Sequence, residues 1–525
     1  MFNLLCFMDL TLIAPFLFCS TLIMISLFIL IKSPSPKKIY MLDFACYKPP
    51  MAQTMTKEGT VARARSTDWY KEETLEFMQR TLERSGLGDS TFFPEAFFKD
   101  PPDLSHLTLE DARREMEMSI FGAVDELLAK TRVESREIGI VVVNCCIFCA
   151  VPSLSSMIVN RYRMREGVIS YNLSGMGCTA GLTAINLAKQ LLQVHRGCYA
   201  LVVSTESITQ NCYAGNDRSK FLINCLFRLG GAAILLSNRP SDQYPAKYQL
   251  VHTVHTHTAE FDKSYDCISS GEDKEGHLGV TVTKDLLVAA IAAIQSNMTA
   301  LAPLVLPVSE QLRCVACYVM RRLHVANVGP YVPDFKKSFR HFLPHVGGKP
   351  VLDELQRSLR LTESDMEASR MTLYRFGNTS SSSVWYELAY AEAKGRVKRG
   401  DRVWQMAFGS GFKCCSVVWR AIRTVDRDQV MNVWSDEIDG FPVDLNNNSP
   451  FPYFFESSER TKSSYMIDRT TDQSDGLGNG ICICICCCQL HFFFSLCFYD
   501  GLNNGAKYYL FAIIVPPNFY LFVLI

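Results

Sequence analysis

Three short runs decide what class of fold this chain can adopt. They are IGIVVVN at 138–144, YALVVS at 199–204 and GGAAILL at 230–236. Each is apolar along almost its whole length and too short for a stable helix, and segments of helical spacing separate them. A strand that is apolar at successive positions is buried on both faces, which requires helices on both sides of its sheet. The expectation is an α/β protein with a mainly parallel sheet. Residues 39–45 and the run YQLVHTV at 248–254 read as further strands. Residues 70–135 are charged and helix-patterned, broken by Pro and Asp. The second half repeats the style, with a helix over 351–361 and a strand at 416–419, so a duplicated α/β architecture is expected over about 39–445.

The two ends differ from this body. Residues 10–31 (LTLIAPFLFCSTLIMISLFILI) are almost wholly apolar and long enough to span a bilayer. Lys32, Lys37 and Lys38 follow the span, and no basic cluster precedes it as in a secretory signal. The positive-inside rule then places the body in the cytoplasm. Pro34 and Pro36 mark a linker, so residues 1–36 are taken as membrane anchor and linker. Residues 446–525 form a tail of a different kind. It is polar to Gly480, then low in complexity (ICICICCC at 481–488), and ends in an apolar run broken by Pro516 and Pro517. It is expected to be disordered or non-native. Over the 525 residues the formal charge is zero, which gives no basis for a nucleic-acid partner. The 21 cysteines follow no disulfide framework and are read as reduced thiols.

Chemistry concentrates at Cys178. It lies in YNLSGMGCTAG at 171–181, between a strand-like segment and a helical one, with Gly175, Gly177 and Gly181 around it. Glycine permits the tight turn and close approach of a substrate. A thiol at a helix N-terminus is expected to be drawn towards thiolate by the helix dipole. A buried packing cysteine is the plain alternative. His341 and His345 stand four apart in HFLPHVGG. On a helix they would share a face, as zinc ligands do, but Pro344 and the glycine pair indicate a turn, and no third ligand is near. Asn378, in RFGNTSSSS at 375–383, opens a helical stretch and is either a cap or an amide donor to an oxyanion. His252, His255 and His257 fall in one strand, where 255 and 257 share a face; one of them lining a site is the functional alternative to plain exposure. Sequons begin at Asn172, Asn297 and Asn378, and none is read as glycosylated.

Taken together these motifs resemble the plant 3-ketoacyl-CoA synthases, the condensing enzymes of very-long-chain fatty acid elongation. The resemblance covers most of 37–445 and rests on DFACYKP at 43–49, PSLSSMIVN at 152–160, the Cys178 turn, NCLFR at 224–228, the His341/His345 block and residues 375–388. It implies a thiolase-like duplicated α/β fold, layered αβαβα, of the kind shared with chalcone synthases and ketoacyl-ACP synthases. The halves would be 37–240, carrying the nucleophile, and 241–445, carrying His and Asn. The family's Cys-His-Asn triad falls on Cys178, His345 and Asn378, and further required histidines fall on His257 and His341. The implied substrates are malonyl-CoA and a long-chain acyl-CoA, with no metal or redox cofactor. The implied setting is the endoplasmic reticulum membrane, as a homodimer beside the reductases and dehydratase of the elongase. Several features depart from the pattern: one convincing N-terminal span where the family usually has two, Tyr374 where His is common, the segments 148–152 and Cys414–Cys415, and a tail beyond 445 with no counterpart. An aromatic-starter polyketide synthase and a non-catalytic elongase scaffold are the competing expectations.

Overall fold

The structure is a computed structural model that describes residues 36–100, 102, 107–323 and 331–445. The chain divides into two units, 38–460 and a second of 1–37 with 461–525. The expected membrane span at 10–31 and the tail at 446–525 lie outside the described residues.

Nine strands form one sheet: β1 (Ile39–Cys46), β2 (Ile138–Asn144), β3 (Ile169–Leu173), β4 (Tyr199–Thr205), β5 (Gly231–Ser237), β6 (Tyr248–His257), β7 (His341–Pro344), β8 (Arg402–Gly409) and β9 (Lys413–Ala421). Their order is β7-β8-β9-β6-β1-β5-β4-β2-β3. The three founding runs are strands, as expected, but the sheet is not mainly parallel. Five neighbouring pairs are antiparallel and three are parallel. Apolar runs report burial on both faces, which helices impose whatever the strand direction. They therefore carry no information about parallel pairing. Stepping outward from β1 through β5, β4, β2 and β3, the pairings are antiparallel, antiparallel, parallel, parallel. Stepping outward from β6 through β9, β8 and β7, they are antiparallel, antiparallel, parallel. The two sides of the β1–β6 junction thus repeat one arrangement.

The helices that matter here are α1 (Lys57–Arg65), α2 (Glu72–Arg84), α3 (Leu109–Thr131), α4 (Ala180–Val194), α5 (Arg218–Leu226), α6 (Leu286–Val305), α7 (Lys349–Leu359) and α8 (Ser383–Ala393). Side-chain alternation along the strands sorts them into layers. In β2, Ile140 and Val142 face a core that contains α4 and α8, while Val141 and Val143 face α3. In β8, Val403 and Ala407 face the same α4/α8 core, while Trp404, Met406 and Phe408 face the core with α6 and α7. The two arms of the single sheet, either side of the β1–β6 junction, thus give the layers helix, sheet, helix, sheet, helix, with α4 and α8 between the arms. These two central helices begin at the Cys178 turn and the Asn378 turn, so the layering brings both turns to one place. Among the described residues one helix, α6, has the length and apolarity of a membrane span. Its Ala289, Ala293, Asn297 and Leu301 are buried against the sheet, and Asn297 donates to the Cys414 carbonyl of β9 at 3.0 Å, so it is a core helix.

Candidate active site

Strand β3 ends at Leu173, and a single turn over Gly177–Thr179 leads into α4. Gly175 and Gly177 both have positive φ, at +67° and +63°. The turn lies against the end of β8 so closely that a Cβ on Gly177 or on Gly409 would fall 2.6 Å from a backbone nitrogen, Ser410 N or Cys178 N. Glycine is the residue that permits this contact. It leaves the Cys178 thiol half-buried on the wall of a cavity of about 980 Å³, counting its open mouth. His345 and Asn378 line the same cavity, with Glu206, Ser380 and Phe408.

His345 follows β7 and its backbone N–H donates to the Met406 carbonyl at 2.7 Å. The residues between it and His341 form a strand, neither the helix of a zinc site nor the turn expected from Pro344. Its Nδ1 lies 2.7 Å from Ser383 Oγ, and Ser383 gives its one hydroxyl proton to the Ser380 carbonyl at 2.9 Å. Nδ1 is therefore the protonated nitrogen, and Nε2 keeps its lone pair. The imidazole is almost wholly buried, and that burial pushes its pKa down to about 3, so it is neutral at physiological pH.

Asn378 is fixed by its neighbours. Its backbone N–H donates to Leu226 O at 3.1 Å and its carbonyl accepts from Arg228 N at 3.0 Å. Its Oδ1 accepts from Ser380 N at 2.8 Å, while Nδ2 reaches Gly347 O at a loose 3.4 Å. The side chain caps the turn with its oxygen, as one of the two expectations had it, and the residue lies on the cavity wall.

Burial pushes the Cys178 thiol up to about 12, with a smaller contribution in the same sense from Glu206 and an opposing one from Ser380. This overturns the expected helix-stabilised thiolate. Desolvation in this pocket outweighs the field of the α4 terminus, which begins two residues later. The resting pair is a neutral thiol and a neutral imidazole.

Glu206, Ser380 and Ser383 belong to this site and went unnoticed in the sequence. Ser380, at φ +55°, aims its hydroxyl between Cys178 Sγ at 3.6 Å and Glu206 Oε2 at 3.2 Å. The buried Glu206 carboxyl accepts from Cys146 N at 3.1 Å and Ile147 N at 3.0 Å, and burial raises its pKa. A carboxylate directly after an apolar strand was the available signal for Glu206. The run of four serines offered no means of telling Ser380 and Ser383 from their neighbours.

The other expected histidines do not line this cavity. His341 opens β7 at its far end, where its Nε2 is 3.1 Å from Asp401 Oδ2 and burial keeps its pKa below the ordinary value despite that partner. His257 ends β6, exposed, opposite Lys413 of β9, and its Nδ1 accepts from Ala259 N at 3.2 Å. His255 is exposed on the same strand. Tyr374 packs edge-on against Phe441, outside the cavity wall.

The fold belongs to a known class. The C-terminal type III polyketide synthase domain of Steely1 from Dictyostelium superposes with a TM-score of 0.57 at 17% identity, covering 73% of this chain and 99% of that one. A point mutant of CsyB superposes with a TM-score of 0.56 at 20% identity, covering 73% and 100%. At such identity the likeness concerns the fold. Residues 31–323 match the FAE1/type III polyketide synthase-like protein family, and residues 336–421 match the 3-oxoacyl-[acyl-carrier-protein] synthase III C-terminal family. The 3-ketoacyl-CoA synthase 2 of Arabidopsis thaliana is 54% identical over 429 residues, 80% of this chain and 81% of that protein. The probable 3-ketoacyl-CoA synthase 20 of Oryza sativa subsp. japonica is 53% identical over 419 residues, 79% and 80%. The chain belongs to the 3-ketoacyl-CoA synthase family.

Proposed function

We propose that this chain condenses malonyl-CoA with a long-chain acyl-CoA through a thioester on Cys178. The observation that carries the reading is the meeting of a thiol, an imidazole with a free Nε2 and an amide donor in one largely apolar cavity. A thiol at a pKa of about 12 is a poor nucleophile until its proton has somewhere to go. The Nε2 lone pair of His345 takes that proton as Sγ attacks the acyl carbonyl. The proton then passes to the sulfur of the departing CoA, leaving acyl-Cys178 and free CoA thiol.

Malonyl-CoA enters next. Loss of its carboxylate as carbon dioxide leaves an enolate whose oxygen carries the charge. Asn378 Nδ2–H donates to that oxygen. His345 donates too in its other tautomer, reached when Nε2 takes a proton from solvent and Nδ1 releases one to solvent, with Ser383 turning its hydroxyl onto the freed Nδ1 lone pair. Donors fixed in a dry cavity stabilise such charge far better than water does. The carbanion attacks acyl-Cys178, the Cys178 thiolate leaves and takes a proton from solvent to restore the resting thiol, and 3-oxoacyl-CoA two carbons longer is released. Neither a metal nor a redox cofactor enters the scheme.

His341 and His257 act in this scheme as positioning residues. His341 anchors the start of β7 through Asp401, and His257 holds the turn after β6 by accepting from Ala259 N at 3.2 Å. Residues 37–240 and 241–445 are the two halves of the duplicated fold. The anchor at 1–36 holds the enzyme in the endoplasmic reticulum membrane facing the cytosol, as a homodimer beside the other elongase enzymes. This setting suits a substrate that partitions into lipid.

The test is incorporation of labelled malonyl-CoA into chain-extended product in microsomes carrying the full chain. Extension by the wild type that disappears in Cys178→Ala is the expected result. No extension by either, with both present in the membrane, would overturn the reading and favour a scaffold.

A further inference from the structure

A second apolar cavity lies behind the wall of the first. It encloses about 780 Å³, counting its mouth, between α1, α2 and α5. Met55, Met78, Phe93, Phe97 and Ile208 line it. Asn211, Ile223 and Phe227 face both this cavity and the one holding Cys178. The two cavities therefore share a wall at Asn211, Ile223 and Phe227.

Most of its polar lining is already engaged. Thr60 Oγ1 donates to Thr56 O at 2.8 Å, Thr67 Oγ1 to Ala64 O at 2.7 Å, and Asn224 Nδ2 to Tyr213 O at 2.8 Å. The two cations on its wall are paired, Arg63 with Asp100 at 2.8 Å and Lys99 with Asp111 at 2.6 Å. A cavity lined mainly by apolar side chains, with most of its polar groups satisfied internally and its cations paired, favours a hydrocarbon over a phosphate or an adenine.

Resting on the acyl-CoA reading, we propose that this cavity holds the methyl-terminal part of the acyl chain, which passes from Cys178 between Asn211, Ile223 and Phe227. The first cavity must hold the thioester and the malonyl group, so a very long chain needs further space. Each methylene moved from water into this cavity strengthens binding about fourfold. Preference for long chains then comes from the depth behind the partition, and Ile223 controls entry to it. A third cavity, between α6 and α7, shares only Ala290 and Val351 with the first and is the rival route.

The test uses the full chain in microsomes with a long-chain acyl-CoA carrying a diazirine at its methyl end. Irradiation followed by peptide mapping is expected to place adducts on Ala64, Met78, Phe93 or Phe97 and to lose them in Ile223→Trp. Adducts on Ile294 or Leu355, adducts confined to Phe408 and Phe412, or an unchanged pattern in Ile223→Trp would overturn the proposal. Kinetics give a second readout. The ratio of kcat/KM for the longest accepted acyl-CoA to that for the shortest is expected to fall at least tenfold in Ile223→Trp. It should fall likewise in Ala64→Phe, which fills the far wall from α1 and keeps the test alive if the first variant misfolds. An unchanged ratio would overturn the proposal. Labelling does not require turnover, so its failure is distinguishable from failure of the condensing reading, which appears as no malonyl-CoA incorporation by the wild type.

Discussion

The two ends of β7 carry the same residue and do opposite things. His345, just past the strand, is buried in the wall of the Cys178 cavity, its ring hydrogen-bonded to Ser383, and held neutral with its pKa near 3. His341, at the other end, meets Asp401 on the rim of the sheet and lines no part of that cavity. A strand advances about 3.3 Å per residue, so four residues separate the two rings by on the order of 13 Å. Residue type and closeness in sequence do not make a site; the element that carries them decides which side chains meet.

The sharpest way to break this comparison is to remove each ring in turn. His345→Ala should reduce condensation by about 10²–10³, the loss typical of a removed oxyanion donor, with the variant still present in the membrane. Comparable loss in His341→Ala would erase the distinction between the ends.

Removing the partner of Nδ1 should come next in size. Ser383→Ala frees the imidazole to change tautomer and is expected to lower kcat by roughly tenfold with little change in KM, since Ser383 acts through His345. An equal change in both would mean general distortion of the cavity.

Acid stability separates the histidines thermodynamically. The buried His345 stays neutral down to about pH 3, whereas in the unfolded chain it takes up a proton near its ordinary value of about 6.5. Between those values the unfolded state binds the extra proton, so this group makes stability rise with pH, by at most about 1.4 kcal/mol per unit. Denaturant titrations from pH 4 to 7 should show this slope reduced in His345→Gln. His341→Gln should reduce it less, because Asp401 partly offsets the effect of burial. An unchanged slope in His345→Gln would contradict the neutral buried imidazole.

The smallest effect belongs to the rim. His341→Ala should cost about 2 kcal/mol of stability, the worth of one hydrogen bond to a charged partner, and leave kcat within a few fold. A larger loss of kcat than of stability would place His341 in the chemistry.

Much of this was legible beforehand. The apolar runs announced a sheet covered on both faces, and glycines around Cys178 announced a tight turn, although what approaches it closely in the structure is the end of β8. Strand direction was not legible, because burial on both faces is the same for parallel and antiparallel neighbours. Nor was the protonation of Cys178. A helix terminus is visible in sequence, whereas the burial that overrides it depends on Phe408, Glu206 and the β8 end, more than two dozen residues away in the chain at the nearest. Ser380 and Ser383 stayed hidden because a run of four serines has no internal contrast, although its backbone turns one hydroxyl to sulfur and another to imidazole.

The central claim is that Cys178 carries the acyl group, and trapping that intermediate tests it most directly. The full chain is incubated with a long-chain acyl-CoA in the absence of malonyl-CoA, digested at low pH, and mapped by mass spectrometry. The account predicts one acyl thioester on the peptide containing Cys178, absent in Cys178→Ala and discharged on addition of malonyl-CoA. An acyl group on another cysteine, or none on an active preparation, would contradict it.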